Sequence, residues 1–458
     1  MNLGVVILAA GQGKRMRSQL PKVLHKLGGK PLLAHVLACA AELEPERRVV
    51  VYGHGGELVP AAFTGWRLDW VEQEQQLGTG HAVLQALPAL QETAKVLVLY
   101  GDVPLIRAET LRSLVAATES TPLALLTARL DDPTGYGRII RDPQQRVLRI
   151  VEHKDASPEQ LANREVNTGI LCCERRLLSD WLCRIDTDNV QGEHYLTDIV
   201  GLAVHDGYEV ATILATDPVE VTGINDRCQL AAVERIFQAR QAERLMRAGV
   251  TLMDPARFDL RGSLEVGRDL VIDVNVVLEG EVSLGDGVHI GANTVIRNSR
   301  LGPDVQILEN CVIEGATIAS GSRIGPFTRI RPDTELSEQV HLGNFVEVKK
   351  SKVGRGSKIN HLSYVGDTTV GSAVNIGAGT ITCNYDGANK YQTIIGDRAF
   401  IGSDTQLIAP VEVGAGATIG AGSTITRDVP PEQLTLSRTR QVTIDGWQRP
   451  VKQPKKED

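Results

Sequence analysis

Residues 301–330 read LGPDVQILENCVIEGATIASGSRIGPFTRI. Leu301, Ile307, Ile313, Ile318, Ile324 and Ile330 recur in them at steps of six, six, five, six and six. The same phase extends in both directions. Upstream it takes in Val266, Ile272, Leu278, Leu284, Ile290 and Ile296, and downstream Leu336, Leu342, Val348, Val353, Ile359, Val365, Val370 and Ile376. After an interruption it returns at Ile395, Ile401, Leu407, Val413, Ile419 and Ile425. A period of six is neither the 3.6 of a helix nor the alternation of two of a half-buried strand. It suits a parallel solenoid, in which each short strand turns one aliphatic inward and a tight turn starts the next. Glycine is frequent here because it takes positive φ without steric penalty. Residues 264–426 are therefore expected to form a parallel β-helix.

The repeat is broken by 383–390, CNYDGANK. Insertions in solenoids project on one face and often carry the binding site. Before the solenoid, 226–247 reads as one helix, with Leu230, Val233, Ile236 and Phe237 on one face and Gly249 just past its end. At about 1.5 Å per residue it would reach roughly 33 Å, a rigid arm between the solenoid and what precedes it.

What precedes it has another character. Residues 3–9, LGVVILA, form a continuous apolar run of the buried parallel-strand type. Gly11-Gln12-Gly13-Lys14-Arg15-Met16 follows at once. Its glycines would let backbone N–H groups approach a phosphate, and Lys14 and Arg15 add charge. Met16 replaces the third glycine of the dinucleotide fingerprint, and no Walker Gly-Lys-Ser/Thr is present, so an ordinary strand-to-helix turn stays open. Lys22 follows Pro21, whose rigid turn would aim the amine back at that loop.

Helix-like and strand-like stretches then alternate. A helix is expected over 31–43 and strands over 48–52 and 68–72. A loop, Gln76-Leu77-Gly78-Thr79-Gly80, follows, with Thr79 as a cap for a helix over 81–87. The apolar strand 96–100 ends in Gly101-Asp102-Val103-Pro104. A carboxylate just past the carboxyl end of a parallel strand is where open α/β sheets place ligand and metal chemistry. Asp102 could ligate Mg²⁺ there, or cap a helix before Pro104. Residues 136–140 and 147–151 read as a hairpin around Asp142-Pro143, closed by Glu152. Asn167 and Asn225 stand in turn-like surroundings. Alternation of this kind implies a doubly wound, Rossmann-like α/β domain.

Composition excludes several classes. Acidic residues number 56 and basic ones 49, a net charge of −7, which does not suggest a nucleic-acid binder. No apolar run approaches the ~18 residues a membrane span needs. The amino terminus opens on a strand without a basic leader, so it is not read as a signal peptide. Seven scattered cysteines suggest a reduced, cytoplasmic protein.

Taken in order, these motifs resemble one bacterial family over nearly the whole chain: the bifunctional N-acetylglucosamine-1-phosphate uridyltransferase / glucosamine-1-phosphate acetyltransferase. Leu8-Ala9-Ala10-Gly11-Gln12-Gly13-Lys14-Arg15-Met16 resembles the signature of sugar nucleotidyltransferases. The segments 76–82 and 100–104 are similar to this branch of them. His361 within Asn360-His361-Leu362-Ser363-Tyr364, and Asn384-Tyr385-Asp386-Gly387, resemble the acetyltransferase half. The resemblance implies a uridyltransferase domain over 1–227, a linker helix over 228–248, and an acetyltransferase domain over 249–458 built on a left-handed β-helix. It implies that Leu8, Ala9, Ala10, Gly11, Gln73, Gly78 and Thr79 hold the uridine of UTP, and that Lys22 holds its phosphates. Tyr100 and Gly101 would line this site, and Asp102 and Asn225 would ligate Mg²⁺. Gly137, Glu152 and Asn167 would hold N-acetylglucosamine-1-phosphate. In the solenoid, Arg331, Lys349, Tyr364, Asn375 and Lys390 would hold glucosamine-1-phosphate. Ala378, Asn384, Tyr385, Ser403, Ala421 and Arg438 would contact acetyl-CoA, and His361 would be the general base. The family also implies a homotrimer and a product, UDP-N-acetylglucosamine, that feeds peptidoglycan and lipopolysaccharide synthesis.

The residue types fit two chemistries. A sugar phosphate is already ionised at neutral pH, so uridylyl transfer needs alignment and charge neutralisation rather than a base. An attacking amine must lose a proton, a task for a histidine. Three rivals stand beside this reading. They are a single-activity nucleotidyltransferase with a structural solenoid, a non-catalytic scaffold, and a zinc hydratase. The last would need several imidazoles converging on one metal, and the solenoid offers only His289, His341 and His361.

Overall fold

The computed structural model describes residues 2–11, 13–53 and 56–451. Gln12 of the glycine loop and the terminal 452–458, expected to be disordered, lie outside them. The chain divides into two compact units, Met1–Gln241 and Ala242–Asp458.

In the first unit, Leu3–Leu8 is wholly buried and lies inside a nine-stranded mixed sheet. Its main path runs Val210–Leu214, Leu123–Arg129, Glu165–Glu174, Lys95–Tyr100, Leu3–Leu8, Arg47–Tyr52, Asp69–Glu72. The pairings are parallel except those of Glu165–Glu174, which runs antiparallel to both neighbours. Alternate residues of Leu3–Leu8 enter two separate cores, as a period of two requires. Val5 and Ile7 pack with Leu33, Val36 and Leu111. Val6 packs on the other side with Val83, Leu87 and Trp181. The expected hairpin is present as Arg138–Arg141 and Val147–Val151. From Leu3–Leu8 the chain moves outward to Arg47–Tyr52 and Asp69–Glu72, then returns to the other side of the first strand with Lys95–Tyr100. The strand order therefore reverses between Leu3–Leu8 and Lys95–Tyr100. Open α/β sheets bind ligands in the crevice outside the carboxyl ends of the strands at such a reversal.

The helix Arg227–Arg247 begins where its pattern predicts. Asp226 caps it by accepting from Gln229 N at 2.8 Å. Leu230, Val233, Ile236 and Phe237 pack with Leu27, Leu32, Leu105 and Ile224. Gly28, at φ 53°, has no room for a Cβ against the Phe237 ring, and its N–H donates to Glu234 Oε2 at 2.8 Å. Ala242 and Leu245, near the helix end, belong to the core of the second unit.

The second unit is a parallel β-helix whose inward aliphatics stack in three columns. Ile272, Ile290, Ile307, Ile324, Leu342, Ile359, Ile376, Ile401 and Ile419 pair successively in the first. Leu278, Ile296, Ile313, Ile330, Val348 and Val365 make the second. The third runs from Leu284 through Leu301, Ile318, Leu336, Val353, Val370 and Ile395 to Val413. The steps of five all fall between the second and third columns. The shortening is thus confined to one corner of the coil, and the strands above and below stay in register. The pattern lapses at Thr382 because a buried threonine takes the second-column place. Its hydroxyl accepts from Gly366 N at 2.8 Å and donates to Gly366 O at 3.1 Å. The ladder also runs beyond 264–426, from Thr251–Leu252 at one end to Leu434–Thr435 at the other.

Candidate active sites

The reversal in the first sheet places two loops side by side. Leu8 pairs with Tyr100, and Gly101 N donates to Leu8 O at 2.9 Å. Outside them lies a cleft of about 580 Å³, lined by Leu8, Ala9, Ala10, Gly11, Lys22, Gln73, Gly78, Thr79, Tyr100, Asp102 and Asn225. This size is ordinary for a small-molecule site. Lys14, read from the sequence as adding charge to the glycine loop, also lines it, as do Val23, Gln76, Ala82 and Glu193, which were given no role from the sequence. Gln76 stood in the quoted motif. Its Nε2 donates to Ala10 O at 2.7 Å and so fixes the glycine loop. Glu193 carries no sequence signal of its own.

The ends of the cleft differ in chemistry. Gln73 Nε2 donates to Gly78 O at 3.1 Å and to His81 Nδ1 at 2.9 Å. Burial, then nearby His194, holds the His81 ring below its ordinary range, consistent with a neutral acceptor. Both amide hydrogens of Gln73 are used, which leaves its carbonyl oxygen to meet a ligand. Thr79 does not cap a later helix. The helix is Thr79–Ala86 with Gly78 at its N-cap, and the Thr79 hydroxyl accepts from Leu196 N at 3.1 Å. Gly78, at φ 110°, lies against the His194 backbone too closely for any side chain, which sets the helix start there.

At the other end Lys22 is ion-paired with Asp102, and its Nζ donates to Asn225 Oδ1 at 3.2 Å. Pro21 does lead the lysine back to the loop, for a Cβ on Gly13 would stand 2.9 Å from Lys22 Cβ. Ile224 N donates to Asp102 O at 3.0 Å, tying the loops that carry Asp102 and Asn225 together. Gln229 Oε1 accepts from Asn225 N at 2.7 Å and anchors that loop to the long helix. Asp102 caps nothing, because the next helix is Ala108–Ala117.

Gly137, Glu152 and Asn167 form a neighbouring group. A Cβ on Gly137 would meet both Glu152 carboxylate oxygens within 3.4 Å. Gly137 O accepts from Asn167 N at 2.9 Å. Burial pushes the Glu152 carboxyl up, partly offset by the Thr197 hydroxyl that donates to it at 3.0 Å. Tyr100 links this group to the cleft, since its ring fills the space where Gly169 would need a side chain. Burial, then Glu152 and Asp102, also push the Tyr100 phenol up.

In the second unit one corner of the β-helix carries a ladder of candidate residues. Asn344, His361, Ala378, Ser403 and Ala421 each stand two positions past a first-column aliphatic. Arg438 Nη1 closes the series by donating to Ala421 O at 3.0 Å. His361 pairs with Asn344, and its Nδ1 lies 3.0 Å from Asn344 Oδ1. A carboxamide oxygen can only accept, so the proton sits on Nδ1 and Nε2 is free to take one. Asn344 had no sequence motif to mark it. His341 pairs with Lys358, so the ladder sets no second imidazole beside His361. Among the described residues no cluster of three or more His, Cys, Asp or Glu could hold a metal ion.

The cationic candidates lie on a different sheet. Glu347 pairs with Tyr364 and Lys349 with Gly366, and the Tyr364 ring covers Gly366. Arg331 Nη1 donates to Glu347 Oε1 at 3.0 Å. Lys349 lies 3.6 Å from Asp367, whose carboxylate also accepts from Asn384 Nδ2 at 2.5 Å. Lys349 holds the Lys390 ammonium below its ordinary range. Cations crowded in this way suit an anion. The 383–390 insertion is an ordered loop, with Tyr385 bridged to Lys390 and Tyr385 Oη donating to Gly387 O at 2.6 Å. Asn384 is buried beneath it, whereas Tyr385 is exposed. Asn375 pairs with Lys358 and Phe400 in the sheet that carries His361.

Residues 5–248 match the model of the MobA-like NTP transferase domain. Residues 260–354 match that of the GMPPB C-terminal domain, and 392–427 that of the bacterial transferase hexapeptide with six repeats. The chain therefore joins a nucleotidyltransferase to a transferase of the hexapeptide-repeat class. A protein of Methylococcus capsulatus named Bifunctional protein GlmU is 59% identical over 453 residues, covering 99% of this chain and 98% of its own. One of the same name from Ralstonia nicotianae is 59% identical over 453 residues, covering 99% and 100%. Another, from Azoarcus sp., is 60% identical over 449 residues, covering 98% and 99%. The chain belongs to the bifunctional GlmU family. It is accordingly an enzyme with two transferase activities, uridylyl transfer and acetylation of glucosamine-1-phosphate, in UDP-N-acetylglucosamine synthesis.

Proposed function

We propose that the cleft of the first unit binds UTP with Mg²⁺ and N-acetylglucosamine-1-phosphate. The β-helix corner binds acetyl-CoA, and the Arg331–Lys349–Lys390 group binds glucosamine-1-phosphate. The observation that carries the first assignment is the convergence of Asp102, Asn225 and Lys22 at the sheet's reversal point. A carboxylate and a carboxamide oxygen meeting at one cation suit Mg²⁺, which binds through one or two carboxylates and otherwise through waters and substrate phosphates. When bound, Mg²⁺ neutralises charge on the triphosphate. Lys22 and Lys14 hold phosphate oxygens, Gln73 offers its carbonyl to the uracil, and Glu152 and Asn167 hold the sugar. No residue need act as a base, because the attacking phosphate oxygen is already ionised.

In the second unit His361 Nε2 takes the proton from the glucosamine amine as the nitrogen attacks the thioester carbonyl and the CoA thiolate leaves. Asn344 is a positioning residue that keeps the ring in the competent tautomer. Asn344→Leu should lower the acetyl-transfer rate about tenfold to a hundredfold, the usual effect of losing an orienting partner. The Michaelis constant for acetyl-CoA should change less, and Asn344→Asp, which keeps an acceptor, should recover much of the rate. Steady-state kinetics of the two variants checks this. If the effect of Asn344→Leu falls on the Michaelis constant alone, the orienting role fails.

The working form is a homotrimer in the cytoplasm. Phe327, Phe345 and Leu362 occupy the same corner of successive coils and are 50%, 56% and 63% exposed. The two rings stack with centroids 5.3 Å apart, and the column adjoins His361. An exposed apolar column beside a reactive group supports a neighbouring copy packing there and completing the site. The seven cysteines are free thiols, which suits a reducing compartment. Among the described residues no helix is long and apolar enough to cross a membrane. The whole assignment is tested by supplying glucosamine-1-phosphate, acetyl-CoA and UTP with Mg²⁺, then omitting each in turn. UDP-N-acetylglucosamine should form only with all present. Its formation without acetyl-CoA would refute the pairing of activities.

A further inference from the structure

The Lys22 ammonium stands where two oxygens from distant parts of the chain converge. Asp102 and Asn225 reach it from loops tied to each other through Ile224 N and Asp102 O at 3.0 Å, and Asn225 is further held by Gln229. The Lys22 and Asp102 side chains are only 13% and 14% exposed. A carboxylate this dry requires a counter-charge at all times. One cation satisfies it, and a second cannot enter the same space. We propose that Lys22 is the occupant of the divalent-metal site in the nucleotide-free enzyme, and that nucleotide phosphates open the site by drawing the ammonium away. The proposal rests on the reading of Asp102 and Asn225 as the metal ligands.

The elements around Lys22 suit such a device. A lysine is a point charge on a flexible four-carbon stem, so its head can move while its root stays fixed. Its root is packed against Gly13 of the glycine loop, where phosphates are to be held. Moving the head from the carboxylate toward that loop exchanges one anion for another and leaves no charge unpaired. The tie between the two loops keeps both oxygens in place after the lysine leaves. Metal and nucleotide then bind with positive coupling, and by linkage each raises the affinity of the other by the same factor.

The test uses Mn²⁺ as the probe, with free ion counted by electron paramagnetic resonance in the absence of nucleotide. Wild-type protein should bind Mn²⁺ weakly, and Lys22→Met at least about tenfold more tightly, the scale of one charge-assisted hydrogen bond released. Lys22→Arg keeps the positive charge and should stay as weak as wild type. Adding Asp102→Asn to Lys22→Met should erase the gain. Thermal unfolding of each variant confirms that it is folded. A folded Lys22→Met with unchanged or weaker Mn²⁺ affinity overturns the occupancy proposal, as does Lys22→Arg binding as tightly as Lys22→Met. A double variant that keeps the gain overturns instead the assignment of Asp102 as a ligand.

Discussion

His361→Ala loses at least about a hundredfold in acetyl-transfer rate, the low end for removing a general base, and leaves uridylyl transfer unchanged. The size of the loss follows from the geometry. Nδ1 is committed to Asn344 Oδ1 at 3.0 Å, so the imidazole presents Nε2 in a fixed direction. Alanine removes the proton acceptor without disturbing the cations that hold the sugar phosphate, because Arg331 and Lys349 lie along the other sheet and Lys390 in the insertion. The loss should therefore fall on the rate and little on substrate affinity. His361 is exposed on the corner of a rigid coil and contributes nothing to the stacked aliphatic columns. The variant should thus melt close to the wild type. Near-normal acetylation by a folded His361→Ala protein would leave this residue a structural role only.

Asp102→Ala should be the mirror image, with uridylyl transfer reduced by about a thousandfold or more and acetyl transfer intact. Asp102 supplies the carboxylate of the Lys22–Asn225 cluster, so its removal takes away the charge that would hold a cation near the triphosphate. Loss of preorganised charge at a reacting centre typically costs about a hundred- to a thousandfold, and here it would also remove a ligand of the metal. The protein should still fold. Removing one partner of a buried ion pair costs about 3–5 kcal/mol, but the ammonium is on a flexible stem that can turn toward water, and the nine-stranded sheet behind it is untouched. Rates of both reactions, measured on the same preparation, check this. Equal loss of both activities in the folded variant would contradict two independent sites.

The β-helix was legible because inward positions repeat in phase, and the five-residue steps did not obscure it because they fall at one corner. Its ends were less so. The first coil uses Leu252 and Phe258, which lie outside the regular spacing, and Thr382 hides a column position by satisfying a buried hydroxyl with backbone bonds. In the first unit the buried strand and the loop after it could be read directly. The strand order could not, since spacing does not say which strands become neighbours, and nothing marks Glu165–Glu174 as antiparallel. The approach of Lys22 to the glycine loop followed from Pro21. Its meeting with Asn225, 203 residues away, did not follow from any local pattern and came from family resemblance alone. Asn344 escaped notice, and Gln76 was given no role although it stood in the quoted motif, because each acts on another residue through a single hydrogen bond, and such bonds leave no period.

The central claim is that one chain carries two separable transferases that act in succession. The most direct measurement mixes purified Asp102→Ala and His361→Ala proteins with glucosamine-1-phosphate, acetyl-CoA, UTP and Mg²⁺. Each variant alone should make almost no UDP-N-acetylglucosamine, while the mixture makes it readily, because one protein acetylates and the other uridylylates the released sugar phosphate. A mixture as inactive as its components, or either variant forming the product alone at close to the wild-type rate, would contradict it.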